Sequence, residues 1–66
     1  MSDLTKIAVD AMGGEGSPKK IVDGIIHNHK SNKNNFFIIF GDKEKINYQI
    51  KDKLSKDFYR IIHTNN

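Results

Sequence analysis

The chain contains no cysteine, a single proline and no tryptophan. Without cysteine it can form no disulfide, no thiolate nucleophile and no cysteine-based zinc site. No apolar run approaches the roughly 20 residues that a membrane-spanning helix needs. The first residues, Met1 to Leu4, lack the charged and apolar regions of a signal peptide. We therefore predict a cytoplasmic protein.

The chain is also short for a self-sufficient domain. Its 66 residues form one small domain at most, and a domain of about 60 residues buries only roughly 60% of its unfolded surface. Chains of this size usually need a disulfide, a metal or a partner. The three histidines do not have the spacing of a metal motif, so we expect no metal. These features predict a piece of a larger structure or one part of an assembly.

The positive charge does not form a nucleic-acid-binding pattern. The formal net charge is +3, from 11 basic and 8 acidic residues. The lysines of the second half alternate with acidic residues, and Arg60 is the only arginine. No basic face is interleaved with aromatic side chains, as single-stranded nucleic acid would require. We predict no nucleic-acid partner.

Apolar periodicity predicts an α/β chain in the order β-α-β-α-β. The run Phe36–Phe40 has no polar alternation, which is typical of a strand buried on both faces of a parallel sheet. The last strand is less apolar, as expected near a sheet edge. His27 and His29, in the last turn of the first helix, are predicted to lie on the surface. The predicted strands are 6–10, 36–40 and 58–63, and the predicted helices are 18–30 and 43–54.

A glycine-rich turn between the first strand and the first helix dominates the sequence. Three of its four residues from 13 to 16 are glycine, so the backbone can adopt positive φ and approach another group closely. Ser17 is the predicted N-cap and Pro18 the first helical residue. A strand, such a turn and a helix N-terminus together favour an anion, because unpaired N–H groups and the helix dipole converge there.

Two lysines follow in the first turn of this helix, Lys19 and Lys20. The helix dipole disfavours cations at this end, so either an anion balances them at times or they are simply solvated. The glycine spacing matches neither the dinucleotide-binding fingerprint nor the P-loop. By spacing alone, the turn therefore predicts only phosphate or another anion at a helix N-terminus, with no cofactor implied.

Three side chains near this edge of the predicted sheet could carry chemistry. Asp10 and Glu15 stand at the two ends of the turn and could form an acid/base or metal-binding pair, or merely accept hydrogen bonds from loop N–H groups. His63 ends the third strand, and ligands of open α/β sheets bind beyond the carboxyl ends of the strands. His63 is therefore a candidate site residue.

The identities of the residues resemble those of a known family, whereas the glycine spacing alone does not indicate one. Three segments resemble, in the same order, the opening strands of the PlsX family of phosphate acyltransferases of bacterial phospholipid synthesis. Family members are several times longer. The three segments are Ile7-Ala8-Val9-Asp10-Ala11-Met12-Gly13-Gly14 with Pro18 and Ile21-Val22-x-Gly24, then Ile38-Ile39-Phe40-Gly41-Asp42 with Lys45-Ile46, and Arg60-Ile61-Ile62-His63-Thr64.

The resemblance implies a function in fatty acid and phospholipid metabolism. The parent enzyme would transfer a fatty acyl group from acyl carrier protein to orthophosphate, giving acyl-phosphate, as a dimer peripheral to the membrane. Its fold would be a three-layer α/β sandwich related to isocitrate dehydrogenases and phosphotransacetylases, and residues 1–66 would be the N-terminal segment, truncated after the third strand. Backbone N–H groups could hold orthophosphate without a cofactor, position it and stabilise the oxyanion at the thioester carbonyl.

For the parent reaction, the sequence offers several candidate site residues. The phosphate-binding candidates are Gly13, Gly14, Gly16, Ser17, Lys20 and His63, and the catalytic candidates are Asp10, which would shape the cradle, and Glu15. The family usually has Asp followed by His where this chain has Glu15 and Gly16. A longer carboxylate, displaced by about 1 Å, and a missing imidazole would disturb a tuned site.

The expected function is therefore one of two classes. In the first class the chain is part of a phosphate acyltransferase and inactive alone, and it is either complemented by a separately encoded C-terminal part or the remnant of a decayed gene. In the second class it is a non-catalytic anion-binding or assembly module. The free edge of the predicted sheet motivates the second class.

Overall fold

The structure is a computed structural model and describes residues 3–65. Its elements follow the order β-α-β-α-β, with one turn of 3-10 helix at Lys56–Phe58 before the last strand. The three strands form one parallel sheet in the order β1-β2-β3. The predicted α/β fold, half of a parallel-sheet sandwich, is thus confirmed. The elements are β1 (Thr5–Asp10), α1 (Lys19–Ser31), β2 (Asn35–Gly41), α2 (Lys43–Ile50) and β3 (Tyr59–His63).

Seven element boundaries differ from those predicted, six of them by one residue and the end of α2 by four. Helix α2 ends at Ile50 rather than at residue 54, because Lys51 leaves the helical region at φ 41°. The chain then turns, and Leu54 is still buried beyond the helix end. Strand β3 begins at Tyr59, after the 3-10 turn. The apolar spacing of Leu54 with Ile46 and Ile50 reflected burial and not a continuous helix.

Both helices pack on the same face of the sheet. Right-handed crossovers that proceed in one direction, from β1 to β2 to β3, put their helices on one side. A single core joins this sheet face to the apolar stripes of α1 and α2. Its buried members are Ala11, Val22, Ile25, Phe37, Ile39, Ile46, Ile50, Leu54 and Tyr59.

Strand β2 shows the consequence of this one-sided packing. Phe37 and Ile39 are buried beneath the helices, whereas Phe36, Ile38 and Phe40 are half-buried. Successive side chains of a strand point to opposite faces, so these three lie on the face that the helices leave uncovered. The prediction that residues 36–40 are buried on both faces holds, within the described residues, for one face only.

The glycine-rich turn contacts the carboxyl end of β2 through Met12, which packs against Gly41. A Cβ atom at Gly41 would lie 2.7 Å from Met12 Cγ and 2.9 Å from Ile46 Cδ1. Met12 therefore packs where a side chain at residue 41 would otherwise stand. The absence of a side chain at Gly41 lets the turn, the sheet and α2 meet.

The opposite, amino end of the sheet is closed by polar and aromatic contacts. The buried Asn35 donates from Nδ2 to Asn28 Oδ1 at 3.0 Å, joining β2 to α1. His29 is half-buried against Phe58, with ring centroids 4.4 Å apart, so the prediction that it lies on the surface is wrong. Its Nδ1 atom is buried and has no hydrogen-bond partner in the described part of the chain.

Candidate anion-binding site

Asp10 organises the start of the glycine-rich turn. It ends β1, and its Oδ1 atom accepts a hydrogen bond from the Met12 backbone N–H at 3.0 Å. This is the turn-forming contact that aspartate commonly makes two residues ahead. Its Oδ2 atom lies 3.7 Å from the position that a Cβ at Gly13 would take. Asp10 was predicted either to act in an acid/base or metal-binding pair or to accept from a loop N–H. The structure shows the second contact, which shapes the turn.

Helix α1 begins one residue later than predicted and without a side-chain cap. Its first residue is Lys19, and Pro18 occupies the N-cap position with no side-chain hydrogen bond. Ser17 is not the N-cap, because Pro18 occupies that position and no described side chain accepts from the first helical N–H groups; the Ser17 hydroxyl donates to the Gly13 carbonyl at 2.9 Å. Ser17 therefore closes the turn on itself. No acidic residue lies in the first helical turn, so the dipole at this end has no negative side chain beside it.

The backbone N–H groups of residues 13–17 are available for a ligand. Within residues 3–65 none of these five groups donates a hydrogen bond, and residues 13–16 are exposed. Gly14 and Gly16 have φ values of 97° and 78°, a conformation that glycine adopts at no steric cost. Unpaired N–H groups before a helix N-terminus are the elements of an anion cradle.

Lys19 has a partner of its own. Its Nζ atom lies 2.7 Å from Asp23 Oδ2, one helical turn ahead, and both side chains are largely exposed. The hydrogen bond from Lys19 holds the pKa of the Asp23 carboxyl below its ordinary value of 3.8. Because Asp23 neutralises Lys19, this lysine needs no anion to be accommodated at the start of the helix.

Lys20 is placed differently from Lys19. Its Cβ and Cδ atoms lie 3.7 and 3.8 Å from the position of a Cβ at Gly16, so its aliphatic stem runs along the glycine-rich turn. The Lys20 backbone N–H donates to the Gly16 carbonyl at 3.0 Å. Among the candidate cations, Lys20 is the one whose side chain borders the turn.

A cleft of about 500 Å³ lies at the same carboxyl edge, beyond β2 and β3. His63 stands in it, and its Nδ1 atom accepts from the Lys43 backbone N–H at 3.0 Å. A backbone N–H can only donate, so Nδ1 carries no proton and the neutral ring holds its hydrogen on Nε2. That Nε2–H points to Asn65 Oδ1 at 2.8 Å. The cleft is lined by Met12, Asp42, Lys45, His63, Thr64 and Asn65.

The structure brings the predicted site residues into two neighbouring groups. One is the turn, with Asp10, the glycines, Ser17 and Lys20, and the other is the cleft around His63; Met12 belongs to both. Glu15 is exposed in the turn and forms no hydrogen bond or ion pair with other described residues. Asp10 and Glu15, predicted as a possible acid/base or metal-binding pair, therefore form no hydrogen bond with each other.

Sequence reasoning missed the polar lining of the cleft. Lys45 faces it from α2, while Asp42 accepts from the Lys45 backbone N–H at 3.2 Å and caps that helix. The sequence did contain a signal for this second group. Gly41 and Asp42 lie between β2 and α2, just as the glycine-rich turn lies between β1 and α1. Among residues 3–65 no three His, Asp or Glu side chains are grouped so as to hold a metal ion.

Taken together, these features define a class of protein. A parallel α/β sheet carries at its carboxyl edge a glycine-rich turn with unpaired N–H groups, beside a cleft lined by a histidine and a lysine. Ligand sites of open α/β sheets lie at this edge. The class is that of α/β proteins with a glycine-rich turn and a polar cleft at the carboxyl edge of a parallel sheet.

Comparison with known proteins gives the family. Residues 5–66 match the family model described as "Fatty acid synthesis protein", and the chain belongs to this family. It is 61% identical over 64 residues to a phosphate acyltransferase of Pelagibacter ubique. It is also 43% identical over 61 residues to a phosphate acyltransferase of Lactobacillus gasseri, and 46% identical over 59 residues to one of Listeria innocua. The resemblance to phosphate acyltransferases predicted from the sequence is confirmed.

The matches cover nearly all of this chain but little of the relatives. They span 97%, 92% and 89% of the chain in the Pelagibacter, Lactobacillus and Listeria comparisons. The same matches cover only 19%, 18% and 17% of the three relatives. The chain thus spans less than a fifth of the length of these relatives. No helix in residues 3–65 is long and apolar enough to cross a membrane.

Proposed function

We propose that this chain is the phosphate-binding N-terminal segment of a phosphate acyltransferase that moves an acyl group from acyl carrier protein to orthophosphate. In this reaction a phosphate oxygen forms a bond to the thioester carbonyl carbon, the carbon–sulfur bond breaks, and the carrier thiol takes up a proton. The product is an acyl-phosphate for phospholipid synthesis. The chain acts in the cytoplasm, in an enzyme peripheral to the membrane.

The observation that carries the proposal is the row of unpaired N–H groups at residues 13–17. They precede an uncapped helix with no acid in its first turn, in a chain 61% identical to a phosphate acyltransferase over nearly its whole length. Orthophosphate is an anion, and helix N-termini with free N–H groups bind such anions. Holding phosphate in a fixed orientation lowers the barrier to its attack on the thioester.

Each neighbouring side chain then has a defined task. Asp10 fixes the turn through the Met12 N–H, and Lys20, along Gly16, supplies positive charge at the rim. His63 adds a donor, because its Nε2–H can pass from Asn65 Oδ1 to a phosphate oxygen while Nδ1 stays on the Lys43 N–H. Glu15, exposed in the turn, has no phosphate-binding task here, because a carboxylate repels the anion.

The remaining part of the enzyme lies outside these 66 residues in this proposal. The chain matches only 19% of the Pelagibacter relative, so the acyl and carrier-protein contacts of the full enzyme lie largely in the other four fifths. Reconstitution tests this. The chain is mixed with a second polypeptide, the Pelagibacter phosphate acyltransferase without the matched segment, and phosphate-dependent release of the carrier thiol is measured.

The mixture is expected to form acyl-phosphate, trapped as a hydroxamate, while neither polypeptide does so alone. Gly14→Val, at φ 97°, should lower the rate by roughly 100-fold by distorting the cradle. Gly24→Ala is the matched control, since an added Cβ there meets nothing within 4 Å. A folded complex that releases no thiol, or a Gly14→Val mixture as active as the wild type, contradicts the proposal.

A further inference from the structure

The histidine of the cleft is held between a helix N-terminus and a polar side chain. The Lys43 backbone N–H donates to His63 Nδ1 at 3.0 Å, and His63 Nε2–H donates to Asn65 Oδ1 at 2.8 Å. Lys43 is the first residue of α2, so these hydrogen bonds run from the start of that helix to the cleft. Hydrogen bonds in series polarise one another. We call these three groups the His63 network.

The His63 network leaves the imidazole ring one role toward a ligand. The lone pair of Nδ1 is engaged by the Lys43 N–H, and Nε2 of the neutral ring carries the hydrogen. The ring therefore has no free acceptor with which to take a proton from a ligand, and it offers a single donor. A neutral imidazole fixed by a helix N-terminus acts as a donor to an oxygen that develops negative charge. The ligand atom that fits His63 is an anionic oxygen.

Asn65 is an acceptor that an anion can replace. It lies two residues after His63, it is exposed, and both ends of its hydrogen bond with the ring are neutral. A hydrogen bond to a charged oxygen is roughly twice as strong as one between neutral groups. A phosphate oxygen that enters the cleft should therefore displace Asn65 Oδ1 from Nε2–H, while the Lys43 contact stays in place.

Other polar groups of the cleft suit the same ligand. Lys45 lines it, is exposed and forms no ion pair with other described residues. Thr64 lines it as well and contributes a hydroxyl group. The carboxylate of the lining is that of Asp42, and its Oδ1 atom is engaged as the cap of α2. The cleft thus offers an anion a lysine and a hydroxyl beside the His63 donor.

We propose that the Lys43 backbone N–H is a positioning group that holds His63 as a donor to phosphate. Helix α2 then takes part in anion binding through the His63 ring and not as a bare helix end, and His63 is not the base that removes a proton from phosphate. The inference deepens the proposed function and rests on phosphate binding at this edge. Met12 lines the cleft and belongs to the glycine-rich turn, so the two parts of the site adjoin.

One pair of variants separates the N–H of residue 43 from its side chain. Lys43→Pro removes the N–H, and proline is favoured at the first position of a helix. Asp42 before it has an extended backbone, as the residue before proline requires. Lys43→Ala removes the same charge and keeps the N–H. Isothermal titration with inorganic phosphate should show Lys43→Pro binding roughly fivefold more weakly than Lys43→Ala.

Two further variants distinguish a His63 that binds the ligand from one that only caps α2. His63→Ala should bind phosphate roughly fivefold more weakly. In that background Lys43→Pro and Lys43→Ala should bind equally, because the N–H acts through the ring. Asn65→Ala should bind phosphate roughly threefold more tightly, since the competing acceptor is gone. A His63 that only caps the helix would leave the affinity for phosphate unchanged in all these variants.

Circular dichroism checks the folding of each variant, and NMR of the wild-type chain decides if Lys43→Pro does not fold. A scalar coupling between the Lys43 amide nitrogen and His63 Nδ1 should persist in phosphate, while the Nε2 resonance shifts. An absent coupling, an Nε2 resonance that phosphate does not move, or equal binding by Lys43→Pro and Lys43→Ala would overturn the inference. Phosphate bound without His63 would leave the proposed function intact, whereas the expected results without acyl-phosphate in the reconstituted mixture would refute that function alone.

Discussion

Gly41 is the residue on which the geometry of the site depends most directly. A methyl group there would stand 2.7 Å from Met12 Cγ and 2.9 Å from Ile46 Cδ1, closer than carbon atoms approach. Ile46 is fully buried and cannot move aside. Met12 would have to leave its place, and the turn that it anchors would move with it.

Gly41→Ala is therefore expected to lower the free energy of unfolding by about 1–3 kcal/mol, as overpacking of a filled site does. Gly24→Ala is its control, because it places the same methyl group in an open position of a helix and should raise stability by about 0.5–1 kcal/mol. Urea denaturation of both variants measures the difference. Equal midpoints for Gly41→Ala and the wild type would contradict the packing described for Met12.

Asp10 can be tested for its role in shaping the turn separately from its charge. Asp10→Asn keeps an oxygen that can accept from the Met12 N–H, whereas Asp10→Ala removes the acceptor. We expect Asp10→Ala to lose about 0.5–1.5 kcal/mol of stability and Asp10→Asn to lose much less. If the two variants are equally destabilised in urea, the carboxylate charge and not the hydrogen bond supports the turn.

The ion pair at the start of α1 has a measurable pH signature. Lys19 lowers the pKa of Asp23 below 3.8 in the native chain, so the unfolded chain binds more protons in that range. The pair's contribution to stability is therefore complete above the ordinary pKa and is lost as the pH falls through the native pKa. An NMR titration should find the pKa of Asp23 below 3.8 in the wild type and closer to 3.8 in Lys19→Met. An unchanged pKa in that variant would exclude Lys19 as the cause.

At the scale of elements, the two helices begin in opposite ways. Helix α2 is capped, since Asp42 accepts from the Lys45 N–H and His63 from the Lys43 N–H. Helix α1 has no side-chain cap and follows a turn of unpaired N–H groups. The uncapped end is the one that the proposed function leaves for phosphate.

Removing the cap of α2 should have the usual cost. Asp42→Ala is expected to lower the free energy of unfolding by about 1 kcal/mol, and Asp42→Asn, which keeps a side-chain acceptor, by a few tenths. Thermal denaturation followed by circular dichroism compares them. A loss as large in Asp42→Asn as in Asp42→Ala would show that the carboxylate charge, not the cap, stabilises α2.

The elements that could be predicted from the sequence are those set by local pattern. The order β-α-β-α-β follows from apolar periodicity, and the position of His63 at the carboxyl edge follows from parallel topology. The end of α2 could not be predicted, because Leu54 continues the helical spacing although the chain turns at Lys51. The prediction of Ser17 as the N-cap is wrong because α1 begins one residue later, at Lys19, which makes Pro18 the N-cap residue.

The candidate site was predictable only in part, for a similar reason. The glycines and Asp10 are contiguous in sequence, so their shared turn is visible without a structure. The cleft is built from the turn, the start of α2 and the end of β3, which no local pattern joins. The roles of Glu15 and His63 in binding or catalysis stay predictions.

At the scale of the whole molecule, the chain combines one small core with a sheet that its helices cover on one face. Nine buried apolar residues join two helices to that sheet face within the described residues. A domain of this size has marginal stability. A ligand that binds only the folded chain should therefore raise its melting temperature.

The most direct test of the central claim, that the glycine-rich turn binds phosphate, is a thermal melt of the chain by circular dichroism with and without millimolar phosphate. Chloride at equal ionic strength and the Gly14→Val variant are the controls. A cooperative transition that phosphate moves upward in the wild type, and in neither control, is the predicted result. A transition that phosphate leaves in place, or moves equally in Gly14→Val, would contradict the claim.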